Sequence, residues 1–249
     1  MFLLVAGAVF LFAFEGAICI AMAIPLGLLV GLLGAAVGRA IALSGRRAIS
    51  PALSAILLLP ISAVFEPPGG TGRILHEVQS SVVIDAPPER VWEHVIAFQP
   101  IPQPSEMIFR LGIAYPRYAR IAGAGIGAVR YCVFSTGEFV EPITNWEPGK
   151  RLGFDVVSSP SPLSELSFYA NLSPPHLYGY LRSRRGEFRL VPLPGGRTRL
   201  EGSTWYEIQM APEAYWQLWS DFFIHQIHRR VLEHIKLEVE TSSQNPEPR

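Results

Sequence analysis

The chain has 249 residues, nearly half of them hydrophobic and only 17% charged, with a formal net charge of zero. Neither end is basic enough for a nucleic-acid partner. Two cysteines in unrelated contexts, Cys19 in an apolar run and Cys132 in a strand-like one, exclude a disulfide framework or a zinc pattern; no metal or cofactor is expected.

Residues 1–65 contain one acid, Glu15, and three bases, Arg39, Arg46 and Arg47, in an otherwise apolar run. No basic region precedes the first apolar stretch, and hydrophobicity continues past signal-peptide length, so the segment predicts membrane helices at about 1–14, 17–38 and 49–65. Pro25 lies inside the second span, where membrane helices tolerate a kink, and Gly31, Gly34 and Gly38 leave a smooth face. The three arginines fall between the second and third spans, which places that loop in the cytoplasm and the rest of the chain on the periplasmic or extracytoplasmic side of an inner membrane.

Glu66-Pro67-Pro68-Gly69-Gly70 breaks the pattern and predicts a linker over 66–75. His76–Ile84 then reads as a strand, and Asp85-Ala86-Pro87-Pro88 opens a helix with Val91, Trp92 and Val95 on its apolar stripe. Gln99–Gly127, with Pro100, Pro102, Pro104 and Pro116 among apolar residues, predicts a short helix and an apolar loop. Gly123, Gly125 and Gly127 lead toward a strand rather than a helix, which fits an entrance turn and not a phosphate loop. Strands are expected near 128–135, 138–146, 150–157, 184–192 and 197–209, with turns at Thr136-Gly137, Glu147-Pro148-Gly149 and Pro194-Gly195-Gly196. In the last strand Leu200, Gly202, Thr204, Tyr206 and Ile208 alternate with Arg199, Glu201, Ser203, Trp205 and Glu207, and the first set faces the core. Ser158–Arg182 breaks the strand rhythm and carries Leu166, Phe168, Tyr169, Leu172, Leu177, Tyr178 and Tyr180, as a core-completing segment, a lid or a bilayer-facing surface.

From Pro212 to Glu240 no other proline or glycine intervenes, so one long helix is expected, followed by a disordered tail over 241–249. Trp216, Trp219, Phe223, Ile224, Ile227, Val231 and Ile235 share one arc, which needs a cover; Asp221, His225 and His228 fall on the other side as a solvated or bilayer-facing polar stripe. His234 lies close in angle to the apolar arc, as a satisfied core histidine. No nucleophile elbow or paired-carboxylate site is evident, so no catalytic residue is assigned.

Val83-Ile84-Asp85-Ala86-Pro87-Pro88-Glu89-Arg90-Val91-Trp92, the stretches Gly125–Tyr131 and Gly137–Leu152, and the terminal helix together resemble the helix-grip superfamily of START, Bet v 1-like and polyketide cyclase/dehydrase-like (SRPBCC) domains, over residues 76–240. The resemblance implies an α+β fold, a curved antiparallel sheet around a long C-terminal helix. It also implies binding of a hydrophobic small molecule or lipid between sheet and helix, with the inward Tyr131, Val133, Phe154, Tyr206, Trp219 and Phe223 as ligand-binding side chains. The N-terminal spans, which depart from the family's common soluble pattern, make the domain membrane-anchored. The alternatives are a cyclase/dehydrase-like enzyme that polarises a carbonyl with Arg130, Tyr131 or Tyr206, and a non-catalytic interaction module.

Overall fold

The computed structural model describes residues 17–43, 74–164 and 181–244. Among them the chain forms two compact units, one made of 17–43 with 210–216, the other of 74–164, 181–209 and 217–244. In the first unit, helix α1 runs over Ala17–Leu43, and the Tyr215 hydroxyl donates to the Met22 carbonyl. The Ile18–Ala40 part of α1 is long and apolar enough to cross a membrane, as an anchor or a signal sequence would be. It is the only such helix among the described residues, where the sequence predicts two or three spans; those at 1–14 and 49–65 lie outside the described residues.

The second unit is built on strands β1 (His76–Ile84), β2 (Pro116–Ala122), β3 (Val129–Phe134), β4 (Gly137–Glu147), β5 (Arg151–Asp155), β6 (Leu181–Leu193) and β7 (Arg197–Ile208). All pair antiparallel in one seven-stranded sheet of order β1-β7-β6-β5-β4-β3-β2. Two short helices, α2 (Pro88–Ile96) and α3 (Met107–Arg110), fill the connection from β1 to β2. Helix α4 runs over Glu213–Gln244, beyond the expected end at Glu240. Its path through the second unit, from Gln217 onward, lies against the inner sheet face, which is the helix-grip arrangement.

The core sits where that grip is tightest. Val231, Leu232, Ile235 and Val239 of α4 pack with Ile84, Leu152, Leu190 and Leu200 of the sheet and with Val91, Trp92 and Val95 of α2, all buried. Trp92 meets Trp146 edge to face with ring centres 5.4 Å apart. The period-two pattern of β7 holds: Thr198, Leu200, Gly202 and Tyr206 are buried, and Arg199 pairs with Glu201 at 2.8 Å on the outer side. The Asp85 N–H donates to Glu240 at 3.0 Å and Thr198 Oγ1 to the Ala86 carbonyl at 2.7 Å, which ties the start of α2 to the far end of α4 and to β7.

One element departs from expectation in kind. The proline-rich stretch read as helix and loop contains β2, an edge strand with Pro116 as its first residue, where a missing N–H costs no ladder bond. Gly123, Gly125 and Gly127, with φ of 88°, 84° and 89°, turn β2 into β3 through backbone angles that side chains disfavour. Of the Ser158–Arg182 segment, the apolar residues Leu166 to Tyr180 lie outside the described residues.

Ile235 is fully buried and Leu237, on the same helix, is 62% exposed. Ile235→Ala is therefore expected to cost roughly 2–5 kcal/mol, and Leu237→Ala no more than about 0.5 kcal/mol, in urea denaturation with unchanged slope. Equal effects would contradict this placement of the helix.

Candidate functional site

A cavity of about 120 Å³ lies between the inner sheet face and α4. Phe98, Phe134, Phe139, Phe154 and Phe188 give it an aromatic part, Ile224, Ile227 and Val231 close the helix side, and Ser183, Arg185, Glu187, Ser203 and Thr204 add a polar rim from β6 and β7. Gly186, the cross-strand partner of Phe154, leaves room for that ring, since a Cβ there would stand 2.5 Å from it.

Within this wall stands a charge. Arg130 is 2% exposed and Glu141, its direct cross-strand partner, 5%. The two are joined from Arg130 Nη1 to the carboxylate. Arg130 Nε donates to the Ile96 carbonyl at 3.2 Å, one of the acceptors that the end of α2 leaves without an intrahelical partner. The guanidinium lies 5.7 Å from the ring centre of Phe98 and 5.5 Å from those of Phe154 and Phe188. Its Nη2 has no hydrogen-bond partner among the described residues.

Burial pushes the Glu141 carboxyl above the ordinary carboxylate range, and Arg130 draws part of that shift back. Burial is the largest influence on Arg130 and works against its charge, but Glu141 and Cys132 together more than offset it and its pKa is raised, so the guanidinium stays cationic. The neighbouring Cys132 thiol is pushed up to about 12, by burial first and the Glu141 charge second, so it stays protonated and unreactive.

The second polar group comes from α4. His228 Nε2 is 2.7 Å from Thr204 Oγ1 and its Nδ1 3.3 Å from Ser80 Oγ, which in turn lies 2.8 Å from His225 Nδ1. One turn earlier, Asp221 accepts from the Tyr206 hydroxyl. Asp221, His225 and His228, expected as a solvated stripe, thus reach across to β1 and β7. The buried side of the helix is rotated toward them because here the interface is polar, which a hydropathy arc cannot register. Burial, then the nearby His225, lower the His228 pKa to about 4, and its imidazole is neutral near pH 7. His234 packs on Phe98 and donates from Nε2 to the Gln99 carbonyl at 3.1 Å, a satisfied histidine outside the cavity wall.

Of the six residues expected to bind ligand, Phe154 lines the cavity. Tyr131 and Val133 are on the opposite face of β3, whose buried set is Arg130, Cys132 and Phe134, and Arg120 stacks over the Tyr131 ring at 4.1 Å. Tyr206 is fully buried but turned to Asp221, and Trp219 and Phe223 stack on each other, ring centres 5.7 Å apart, outside the wall. Sequence reasoning leaves Glu141 and His228 unassigned as site residues. The only sequence signal for the first is an Arg and a Glu placed to meet across a hairpin turning at Thr136-Gly137.

Over residues 76–240 the sequence matches the family described as polyketide cyclase / dehydrase and lipid transport, and the chain belongs to it; the domain is an SRPBCC domain. Solved structures similar to it include the ZhuI aromatase/cyclase of a Streptomyces species (13% identity, TM-score 0.46, 71% of this chain and 100% of that one). A protein of Nitrosospira multiformis has 20% identity and a TM-score of 0.44, with 68% of this chain and 100% of that one covered. For the norcoclaurine synthase of Thalictrum flavum the values are 9%, 0.44, 69% and 98%. No curated protein sequence matches the chain.

Glu141→Gln leaves a buried guanidinium without its counter-charge and is expected to cost about 3–5 kcal/mol in chemical denaturation; a loss under about 1 kcal/mol would show that solvent reaches the pair. For His228 the folded pKa of about 4 lies below the ordinary 6.5, so the unfolded chain binds a proton that the folded chain refuses. Its share of stability is intact above about pH 6.5 and falls as pH drops toward 4, by at most about 3 kcal/mol. A urea series across that range, wild type against His228→Gln, reads the difference, and parallel curves would place His228 in solvent.

Proposed function

We propose that the domain binds a small, neutral, apolar molecule bearing one acceptor oxygen, which hydrogen-bonds to Arg130 Nη2. The observation that carries this reading is the unpartnered donor of Arg130, a side chain 2% exposed that lines a cavity with five phenylalanines. A buried donor left open costs roughly 1–3 kcal/mol, which a carbonyl or hydroxyl oxygen would recover on binding. Because Glu141 already balances Arg130, a carboxylate would bring an uncompensated charge into the interior, whereas a ketone, ester or alcohol would not. The volume supports a body of roughly benzene's bulk, since an apolar cavity of about 150 Å³ accommodates benzene.

In this reading Phe154 carries over from the sequence expectation, and the other wall residues are its partners. Helix α1 would serve as the anchor, with 1–14 and 49–65 as further spans, the arginine loop in the cytoplasm and the domain on the periplasmic side, close to a source of apolar ligands or lipids.

Two other readings each draw on one observation. Arg130, Glu141 and His228 all line the cavity, which favours a cyclase/dehydrase-like enzyme in which the guanidinium polarises a bound carbonyl. The volume is below the roughly 300–1,000 Å³ of pockets for larger ligands, which favours an interaction module with a remnant cavity. Titration with cyclohexanone and with methylenecyclohexane, its shape analogue without the oxygen, separates binding from no binding. The ketone is expected to bind about tenfold tighter, as one charge-assisted hydrogen bond of about 1.5 kcal/mol allows. In Arg130→Met/Glu141→Leu, which replaces the pair by apolar groups of similar volume, the preference should vanish. Equal affinity of both compounds for the wild type would overturn the anchor, and binding of neither would leave the interaction module.

A further inference from the structure

The outward stripe of α4 carries Leu218, Phe222, Arg229 and Glu233, all exposed, with His225 at its edge, exposed but bonded to Ser80 of β1. It changes character along its length. Leu218 is 71% exposed and Phe222 44%, and behind them Trp219 and Phe223 are only half-buried. The next fully outward position is Arg229, which has no ion-pair partner among the described residues. An exposed apolar tip of this kind needs a cover, because a solvated helix face does not place Leu and Phe side by side over a layer of aromatics.

We propose that Leu218 and Phe222 insert into the headgroup–acyl boundary of the bilayer, with Trp219 at headgroup level and Arg229 against anionic phosphates. Three features of the chain select a lipid surface over a protein. Two exposed apolar residues with Trp219 and Phe223 interleaved beside them, and a cation farther along the same helix, fit an interfacial helix that enters a membrane by one end. An arginine about two turns beyond Phe222 and three beyond Leu218 adds attraction to an anionic surface and gives an apolar protein partner nothing to pair with. The same chain carries α1, apolar enough to cross that membrane, and residues 44–73 are all that separates α1 from the domain, which keeps the domain near that surface. The proposal rests on reading α1 as an anchor; it does not depend on what the cavity holds.

The test uses the full chain reconstituted in vesicles of phosphatidylcholine and phosphatidylglycerol, with a nitroxide at Leu218→Cys, at Phe222→Cys, or at Glu233→Cys farther along the same stripe. Both native cysteines are buried, so the label goes to the introduced one, and a mock-labelled wild type checks this. Contact with dissolved oxygen should exceed contact with a water-soluble nickel chelate at 218 and 222, and the ratio should reverse at 233. A water-like ratio at all three in chains that co-float with the vesicles overturns the docking and leaves the anchor standing. Chains that fail to co-float overturn both. Dipolar broadening between labels at 218 that fades on dilution assigns the patch to a second copy instead and also overturns the proposal.

Discussion

A guanidinium cannot stay in an apolar interior unless something nearby carries its charge and fills its donors, and Arg130 organises its surroundings on that condition. Glu141 stands opposite it on the neighbouring strand, the last carbonyl of α2 accepts from Nε, and three aromatic rings surround the plane. Each contact fixes something larger: the register of β3 against β4, the distance of α2 from the sheet, and the orientation of the cavity wall. Net energy does not explain the pair, since apolar residues of like volume often serve as well or better. What those residues would lack is a donor, and the pair leaves one open.

The interface between sheet and α4 divides into two kinds. Toward the C-terminal end it is hydrocarbon, with Leu232, Ile235 and Val239 almost wholly buried. Toward the other end it is a row of hydrogen bonds, from Tyr206 to Asp221 and from Ser80 and Thr204 to the two histidines. Hydrocarbon contact is strong and undirected, whereas hydrogen bonds are weaker in net terms and fix rotation. The cavity lies at the junction, lined by Thr204 and His228 from one regime and Val231 and Leu232 from the other.

This division explains what can be read from the residues alone. Where burial is apolar and periodic, pattern suffices: it places β1 at its observed ends, β7 within one residue, and the terminal helix over the right stretch. Where burial is polar, pattern misleads. On β3 the inward set contains Arg130, so an alternation judged by hydropathy puts Tyr131 and Val133 inside; with a side-chain period of two, that choice reverses every residue. On α4 the buried face includes Asp221 and His228, so an arc drawn through the most hydrophobic residues settles too near Trp219 and Phe223. The strand β2 is hidden by prolines that an edge position tolerates.

The same misplacement carries information. Apolar residues left open to solvent in the fold mark a surface shaped for something other than water; Leu218 and Phe222 are exposed, and Trp219 and Phe223, expected on the buried arc, are only half-buried. Ile224, Ile227 and His228, within two turns of them, line the cavity. One stretch of α4 therefore presents its inner side to the cavity and, on its outer side, exposes Leu218 and Phe222. A molecule apolar enough to enter such a cavity partitions into lipid before it meets the protein, so a binding domain gains most where its helix stands at that boundary. Polar fastening of this stretch, with a histidine held neutral by burial, is consistent with that place: hydrogen bonds keep the helix in register without requiring it to be sealed from the phase on its outer side.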